Sequence, residues 1–171
     1  MVQIAPADTD AQCRQVRELF AELSAWDMSQ VREMGLDAQK VLDFYYASGE
    51  EDLPGVYAPP EGRMFLALYS GNAVGCAAFQ RMTPEICEMK RMYVRPEFRK
   101  RRIGRKLTET LIIAAREAGY RVMRLETTKF MDKAIGMYSS FGFRRCPPYY
   151  VIPESFRSLT VFMALDLLEA K

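Results

Sequence analysis

The sequence predicts an α/β fold built on a single mixed, mainly antiparallel sheet flanked by helices. Three observations predict it. The apolar runs Arg63–Tyr69 and Ala73–Gln80 are joined by Ser70-Gly71-Asn72, whose turn chemistry makes them an antiparallel hairpin. A further strand, Ile86–Val94, follows the Thr83-Pro84 turn and is stopped by Pro96. That strand leads through a helix to another strand at Val122–Thr127. A strand–helix–strand crossover makes the two strands locally parallel, with a right-handed connection.

The remaining elements follow in order. Val2–Ala5 forms a short first strand ended by Pro6. Asp8 and Asp10 then start a helix from Ala11 to about Trp26, with Val16, Leu19, Phe20 and Leu23 at helical spacing. A second helix is expected over Asp37–Ala47, with Val41, Leu42, Tyr45 and Tyr46 on its apolar side. Gly49–Pro60, with its acids and prolines, reads as a loop. The crossover helix runs from about Arg102 to Ala118, with Ile103, Leu107, Leu111, Ile112 and Ala115 on one face, and Gly119 closes it. Met131–Phe141 is a short helix ended by Gly142. Phe143–Cys146 and Leu159–Leu167 are the last strands, separated by an irregular loop containing Pro147, Pro148, Tyr149, Tyr150 and Pro153. With no repeat and no linker composition, residues 1–171 are expected to form one domain.

Composition removes several chemistries. There is no histidine, which excludes Ser-His-Asp and Cys-His machinery and any histidine-ligated metal. Cys13, Cys76, Cys87 and Cys146 lie far apart with no CxxC pair, so neither a zinc ribbon nor a thioredoxin-like site is expected. Free thiols, and a start (MVQIAPADTD) without a basic leader or long apolar stretch, predict a reducing, cytoplasmic setting with no membrane association. The formal net charge is only +2, so any role for positive charge must come from local clustering.

Such a cluster exists. In EMKRMYVRPEFRKRRIGRKL, residues 88–107, a strand passes through a proline turn into an arginine-dense loop, then Gly104, then a helix. The arrangement aims free backbone N–H groups and the positive helix end at one point, as a pyrophosphate site requires. A solvated basic helix start has the same composition, and a nucleic-acid groove is a third reading. The shortness of the cluster and the near-balanced charge argue against the last.

This stretch resembles motif A of the GNAT acetyltransferases, a strand followed by a Q/R-x-x-G-x-G/A loop and a helix. Arg99 takes the first position and Gly104 the last, while Arg102 stands where the pattern has its first glycine. AIGMYSSFGF, residues 134–143, resembles the second motif of that family, and FLALYSGNAVGCAAF resembles the hairpin before motif A. The likeness runs from about Arg63 to the C-terminus.

The resemblance implies a GNAT-like acyltransferase fold with a splayed parallel strand pair, Glu88–Val94 and Val122–Thr127, and acetyl-CoA lying in the gap. It implies cofactor contacts from Met92, Tyr93 and Val94 to the pantetheine arm. Arg99, Lys100, Arg101, Arg102, Ile103, Gly104 and Arg105 would hold the pyrophosphate. It also offers Glu88 as the base that deprotonates the acceptor amine and Tyr138 as the acid or hydrogen-bond donor to the leaving thiolate. Alternation leaves a second reading of Glu88, a solvent-facing carboxylate paired with a neighbouring cation, and Tyr138 has a second reading as a core aromatic. Glu126 and Thr127 end the second strand, as site residues or as an exposed sheet edge. Tyr45–Tyr46 and Tyr149–Tyr150 are candidates to wall an acceptor pocket.

The function implied is acetyl transfer from acetyl-CoA to a primary amine, expected to be that of a small molecule such as an amino acid or polyamine. The alternatives are a protein-directed acetyltransferase and a non-catalytic acyl-CoA-binding or regulatory module, the latter favoured by Arg102. No metal, nucleic acid or membrane partner is expected. The oligomeric state, a homodimer included, is left open by the sequence.

Overall fold

Residues 1–46 and 52–169 are described in the computed structural model. Ala47 and residues 49–51, where the second helix was expected to end and the following loop to begin, lie outside them. The elements are β1 (Val2–Pro6), α1 (Asp10–Glu33), α2 (Ala38–Tyr45), β2 (Arg63–Tyr69), β3 (Asn72–Arg81) and β4 (Ile86–Val94). They continue as α3 (Ile103–Glu117), β5 (Val122–Thr128), α4 (Asp132–Ser140), β6 (Arg144–Arg145), α5 (Glu154–Arg157) and β7 (Thr160–Asp166). The strands form one seven-stranded sheet in the order β1-β2-β3-β4-β5-β7-β6. Among the described residues, only β4 and β5 pair in parallel.

Three elements depart from the sequence reading. α1 runs on to Glu33, well past Trp26. Its start is fixed by a capping box, in which the Thr9 hydroxyl accepts from the Gln12 N–H and the Gln12 side chain accepts from the Thr9 N–H. The last strand before the proline loop shrinks to Arg144–Arg145, and one turn of helix, α5, forms inside that loop after Pro153. Trp26, expected as a packing anchor, is only half-buried and lies beneath the Arg99 guanidinium, 5.5 Å from ring centroid to Cζ. No described helix is long and apolar enough to cross a membrane.

Alternation along the strands gives each face of the sheet its own core. On one face Phe79, Cys87, Met89, Met123 and Leu125 meet Leu107, Leu111 and Ala115 of α3. On the other, Leu66, Cys76 and Ala78 meet Val16, Leu19 and Phe20 of α1. Burial holds the Cys87 thiol up at about 12, so it is an inert core group.

β4 changes phase partway along. Tyr93 pairs with Cys76 and Lys90 with Ala78, so Arg91 and Met92 together oppose Ala77. This is a β-bulge, and Arg91 takes a left-handed conformation (φ 56°). Before it Cys87 and Met89 face α3; beyond it Met92 and Val94 do, while Tyr93 turns to the α1 side. β3 comes so close here that a Cβ at Gly75 would lie 2.7 Å from the Tyr93 carbonyl oxygen, so only glycine fits. Arg91 also fastens α2 to the sheet. Its guanidinium donates to the Tyr45 carbonyl at 2.8 Å and lies 4.2 Å from the centre of the Tyr46 ring.

Candidate active site at the splayed strands

The parallel ladder between β4 and β5 is short: Ile86 pairs with Val122, Cys87 with Met123, and Glu88 with Arg124. Beyond Glu88 the bulge turns β4 away, and β5 pairs only with β7. The strands therefore open into a V whose apex lies at Glu88 and Arg124. Met92, Tyr93 and Val94 lie on the diverging arm of β4, whose edge toward β5 has no ladder partner.

At the open end the chain turns from β4 into α3 through Arg95–Arg102. Lys100 and Arg102 both adopt positive φ, 66° and 60°. Arg102 is the N-cap of α3 and supplies no side-chain cap. The first bond into the helix runs from the Lys106 N–H to the Arg102 carbonyl. Among the described residues, no acceptor meets the N–H groups from Lys100 to Arg105. With the α3 dipole added to these open N–H groups, this end of the molecule is electrostatically suited to an anion. The Arg102 position demands a left-handed backbone, which explains why glycine suits it; arginine adopts the same conformation at a cost of about 1–2 kcal/mol.

The side chains of the loop divide. Arg99 donates to the Val94 carbonyl at 3.0 Å, Arg101 lies on the Tyr69 ring, and Arg105 bonds the Ser140 hydroxyl at 2.9 Å while stacking on Phe141. Lys100 and Arg102 project as exposed cations. Ile103 is buried in the α3-side core and contributes backbone only. A Cβ on Gly104 would meet nothing closer than the Met137 sulfur at 3.7 Å, an ordinary contact. The fold itself therefore does not demand glycine there.

Glu88 and Glu126 share the sheet face opposite α3. Glu88 is 4% exposed. It accepts from the Tyr149 hydroxyl at 3.0 Å and from the Gln80 amide at 3.3 Å. The Lys90 ammonium lies between the two acids, 3.6 Å from Glu88 and 3.5 Å from Glu126. Glu126 also accepts from the Tyr150 hydroxyl. Burial raises the Glu126 carboxyl above its ordinary value, against the pull of Lys90 and the Tyr150 hydrogen bond. Burial next to these acids likewise keeps Tyr149 and Tyr150 protonated, as donors. Glu88 is thus neither solvent-facing nor isolated, and the edge-exposed alternative for Glu126 is ruled out by its central strand and its burial.

Tyr138 lies on α4, buried against Phe143 in an edge-on contact at 5.8 Å. Its hydroxyl has no protein partner among the described residues. Burial pushes the phenol well above the ordinary tyrosine value, so it carries its proton at neutral pH.

The Acetyltransferase (GNAT) family model matches residues 21–143, from inside α1 to the Gly-Phe end of α4. The chain belongs to the GNAT family. An uncharacterized N-acetyltransferase of Schizosaccharomyces pombe is 41% identical over 99 residues, 57% of this chain and 61% of that protein. The chain spans 61%, 33% and 58% of the lengths of three curated relatives it matches. Among solved structures, an acyl-CoA N-acyltransferase so described from Klebsiella pneumoniae superposes with TM-score 0.69 at 29% identity, covering 98% of each chain. A Salmonella typhimurium protein solved with its cofactor acetyl-CoA has TM-score 0.66 at 22% identity, over 99% of this chain and 95% of that one. The last is a likeness of fold.

For this GNAT chain, sequence reasoning found the loop, both carboxylates and the tyrosine pairs without seeing how they join. Lys90 and Gln80 went unremarked. Lys90 sits two residues from Glu88 on the same strand face, so period-two alternation was the signal that could have paired them. Gln80 carried no local signal, since its partner is reached only across the β3–β4 ladder.

Proposed function

We propose that the chain transfers an acetyl group from acetyl-CoA to a primary amine of a small molecule. The observation that carries this reading is the V between β4 and β5, with a buried carboxylate at its apex and an uncapped, basic helix start at its mouth. The residues present fit the cofactor: open N–H groups from Lys100 to Arg105 and the exposed cations Lys100 and Arg102 complement a pyrophosphate. The free edge of β4 at Met92–Val94 complements an extended amide-bearing arm. When bound, acetyl-CoA supplies an activated thioester carbon.

The chain's own residues divide the remaining work. Glu88 takes the proton that an alkyl ammonium must lose before it attacks, directly or through water. Tyr149 and Gln80 hold that carboxylate in one orientation. A β4 N–H on the open edge donates to the carbonyl oxygen as negative charge grows there, a contribution of about 3 kcal/mol for a single donor. Tyr138 donates its hydroxyl hydrogen to the departing sulfur. An acceptor cleft of about 260 Å³ lies between α2 and the Tyr150 loop; it admits a small molecule or one side chain but not a folded surface. The test is thiol release from acetyl-CoA over a panel of amines. Release above the amine-free rate supports the reading, and none with any amine refutes it.

A further inference from the structure

We infer that Lys90 is a positioning residue for the proposed transfer: its ammonium, set between Glu88 and Glu126, keeps the two carboxyl groups from sharing a proton and so leaves Glu88 open to take one from the amine. The inference rests on the reading of Glu88 as the base and names what keeps that base ready. Two features carry it, the place of the ammonium and the way the remaining donors are shared between the acids.

The place follows from the splay. The parallel ladder ends at Glu88 and Arg124, so Lys90 and Glu126 stand where the next pair on the same sheet face would have formed. Here the Lys90 side chain reaches across the opening instead. Its ammonium lies 3.5 Å from Glu126 on the far arm and 3.6 Å from Glu88 on its own. The Lys90, Glu88 and Glu126 side chains are 16%, 5% and 13% exposed, so solvent screens these charges little. Burial raises the Glu126 carboxyl and the Glu88 charge adds to that rise, while Lys90 is the largest pull against it.

The other donors are neutral and are shared out singly. Tyr149 and Gln80 give to Glu88, and Tyr150 gives to Glu126, with both phenols kept protonated by burial. The surrounding charged and titratable groups are engaged elsewhere. Arg124 of β5 lies over the Tyr149 ring at 4.9 Å, and Arg91 bonds the Tyr45 carbonyl and acts on Asp27 of α1, which also holds the Tyr46 hydroxyl. Tyr45 of α2 feels the Glu126 charge, Cys146 bears on Tyr149, and Cys87 faces the α3 core. Among the described residues, Lys90 is the cation that pairs with either acid. Without it, two carboxylates would share one poorly solvated space, and such a pair holds a proton in common to a higher pH. A base that is already sharing a proton cannot accept the amine's.

The experiment is a ¹³C-carboxyl NMR titration of the full chain without acetyl-CoA, the two resonances being assigned from Glu88→Gln and Glu126→Gln. In Lys90→Met the pair is expected to keep a proton to a pH at least about one unit higher than in the parent. Lys90→Arg retains the charge and should titrate near the parent. The double variant Lys90→Met/Glu126→Gln removes one acid together with the cation and should fall back toward the parent. A Lys90→Met titration that matches the parent overturns the inference. So does a rise that persists in full in the double variant, or one equally large in Lys90→Arg. Should Lys90→Met not fold, recovery of folding in the double variant, read by circular dichroism, supports the inference; failure of both makes Lys90 a structural residue and overturns it. Turnover against pH comes second, and its acid limb should move up in Lys90→Met alone; an unmoved limb also overturns the inference. Absence of turnover in the parent with every amine would sink the transferase reading, while the order of the NMR titrations would still be readable.

Discussion

Glutamine at position 88 keeps the size of the side chain and its oxygen toward Tyr149, and it removes the charge. Glu88→Gln is therefore expected to fold, with Lys90 retaining Glu126 at 3.5 Å, and to lose turnover by about 10²-fold or more near neutral pH. The loss should shrink as pH rises toward the amine's own pKa, where the substrate no longer needs a base; a steady-state pH profile reads both features. Tyr138→Phe deletes a hydroxyl that has no protein partner among the described residues, so stability and acetyl-CoA affinity should hold while turnover falls. An unchanged rate would return Tyr138 to the status of a core ring. Glu126 makes a prediction about stability. Burial raises its carboxyl above 4.5 in the folded chain, so folding takes up a proton between the unfolded and folded pKa values. Its contribution is then greatest below about 4.5 and is lost as pH rises through the folded value. Denaturation of Glu126→Gln beside the parent should accordingly favour the variant more at about pH 7 than at about pH 4.

At the scale of elements, α3 separates two demands that sequence alone merges. Gly104 stands in its first turn with room for a Cβ, Met137 being the nearest neighbour at 3.7 Å. Gly104→Ala should raise the melting temperature, alanine being better in a helix by up to about 1 kcal/mol. On the proposed function it should also weaken acetyl-CoA, because the new methyl group stands beside the open N–H groups of the loop. Thermal denaturation and a binding isotherm on one variant thus move in opposite directions. A parallel loss of both would make Gly104 a structural glycine.

Legibility followed punctuation. β4 was bounded to the residue because Thr83-Pro84 and Pro96 fence it, and α3 nearly so because Gly119 (φ 88°) closes it. The second half of α1 was not legible: past Leu23 none of its residues is buried, and the apolar stripe that marks a helix fades. α5 was hidden by the prolines around it. The site's parts were readable as types, but Tyr149 reaches Glu88 across 61 residues, a meeting that belongs to the fold and leaves no mark on either neighbourhood. The splay followed from family resemblance; its physical cause, the Arg91–Met92 bulge, carries no glycine or proline to announce it.

Seen across the whole molecule, that bulge behaves like an edge dislocation in a crystal: one surplus unit in one row, with order intact on both sides. A dislocation cannot be relaxed away by nudging its neighbours; it goes only when the surplus unit is removed. β4 is therefore tolerant of changed side chains near the bulge and intolerant of a changed residue count. Met92→Leu should fold and bind acetyl-CoA like the parent, as circular dichroism and calorimetry would register. Deleting Met92 would leave Arg91 alone opposite Ala77, with Tyr93 still opposite Cys76, and would turn the Arg91 side chain into the α3 core in place of Met92. It would also rejoin β4 to a straight ladder and close the V on β5. Insertions and deletions between Lys90 and Tyr93 should be the changes this chain survives least, and the length of a single strand is in that sense what keeps the gap between β4 and β5 open.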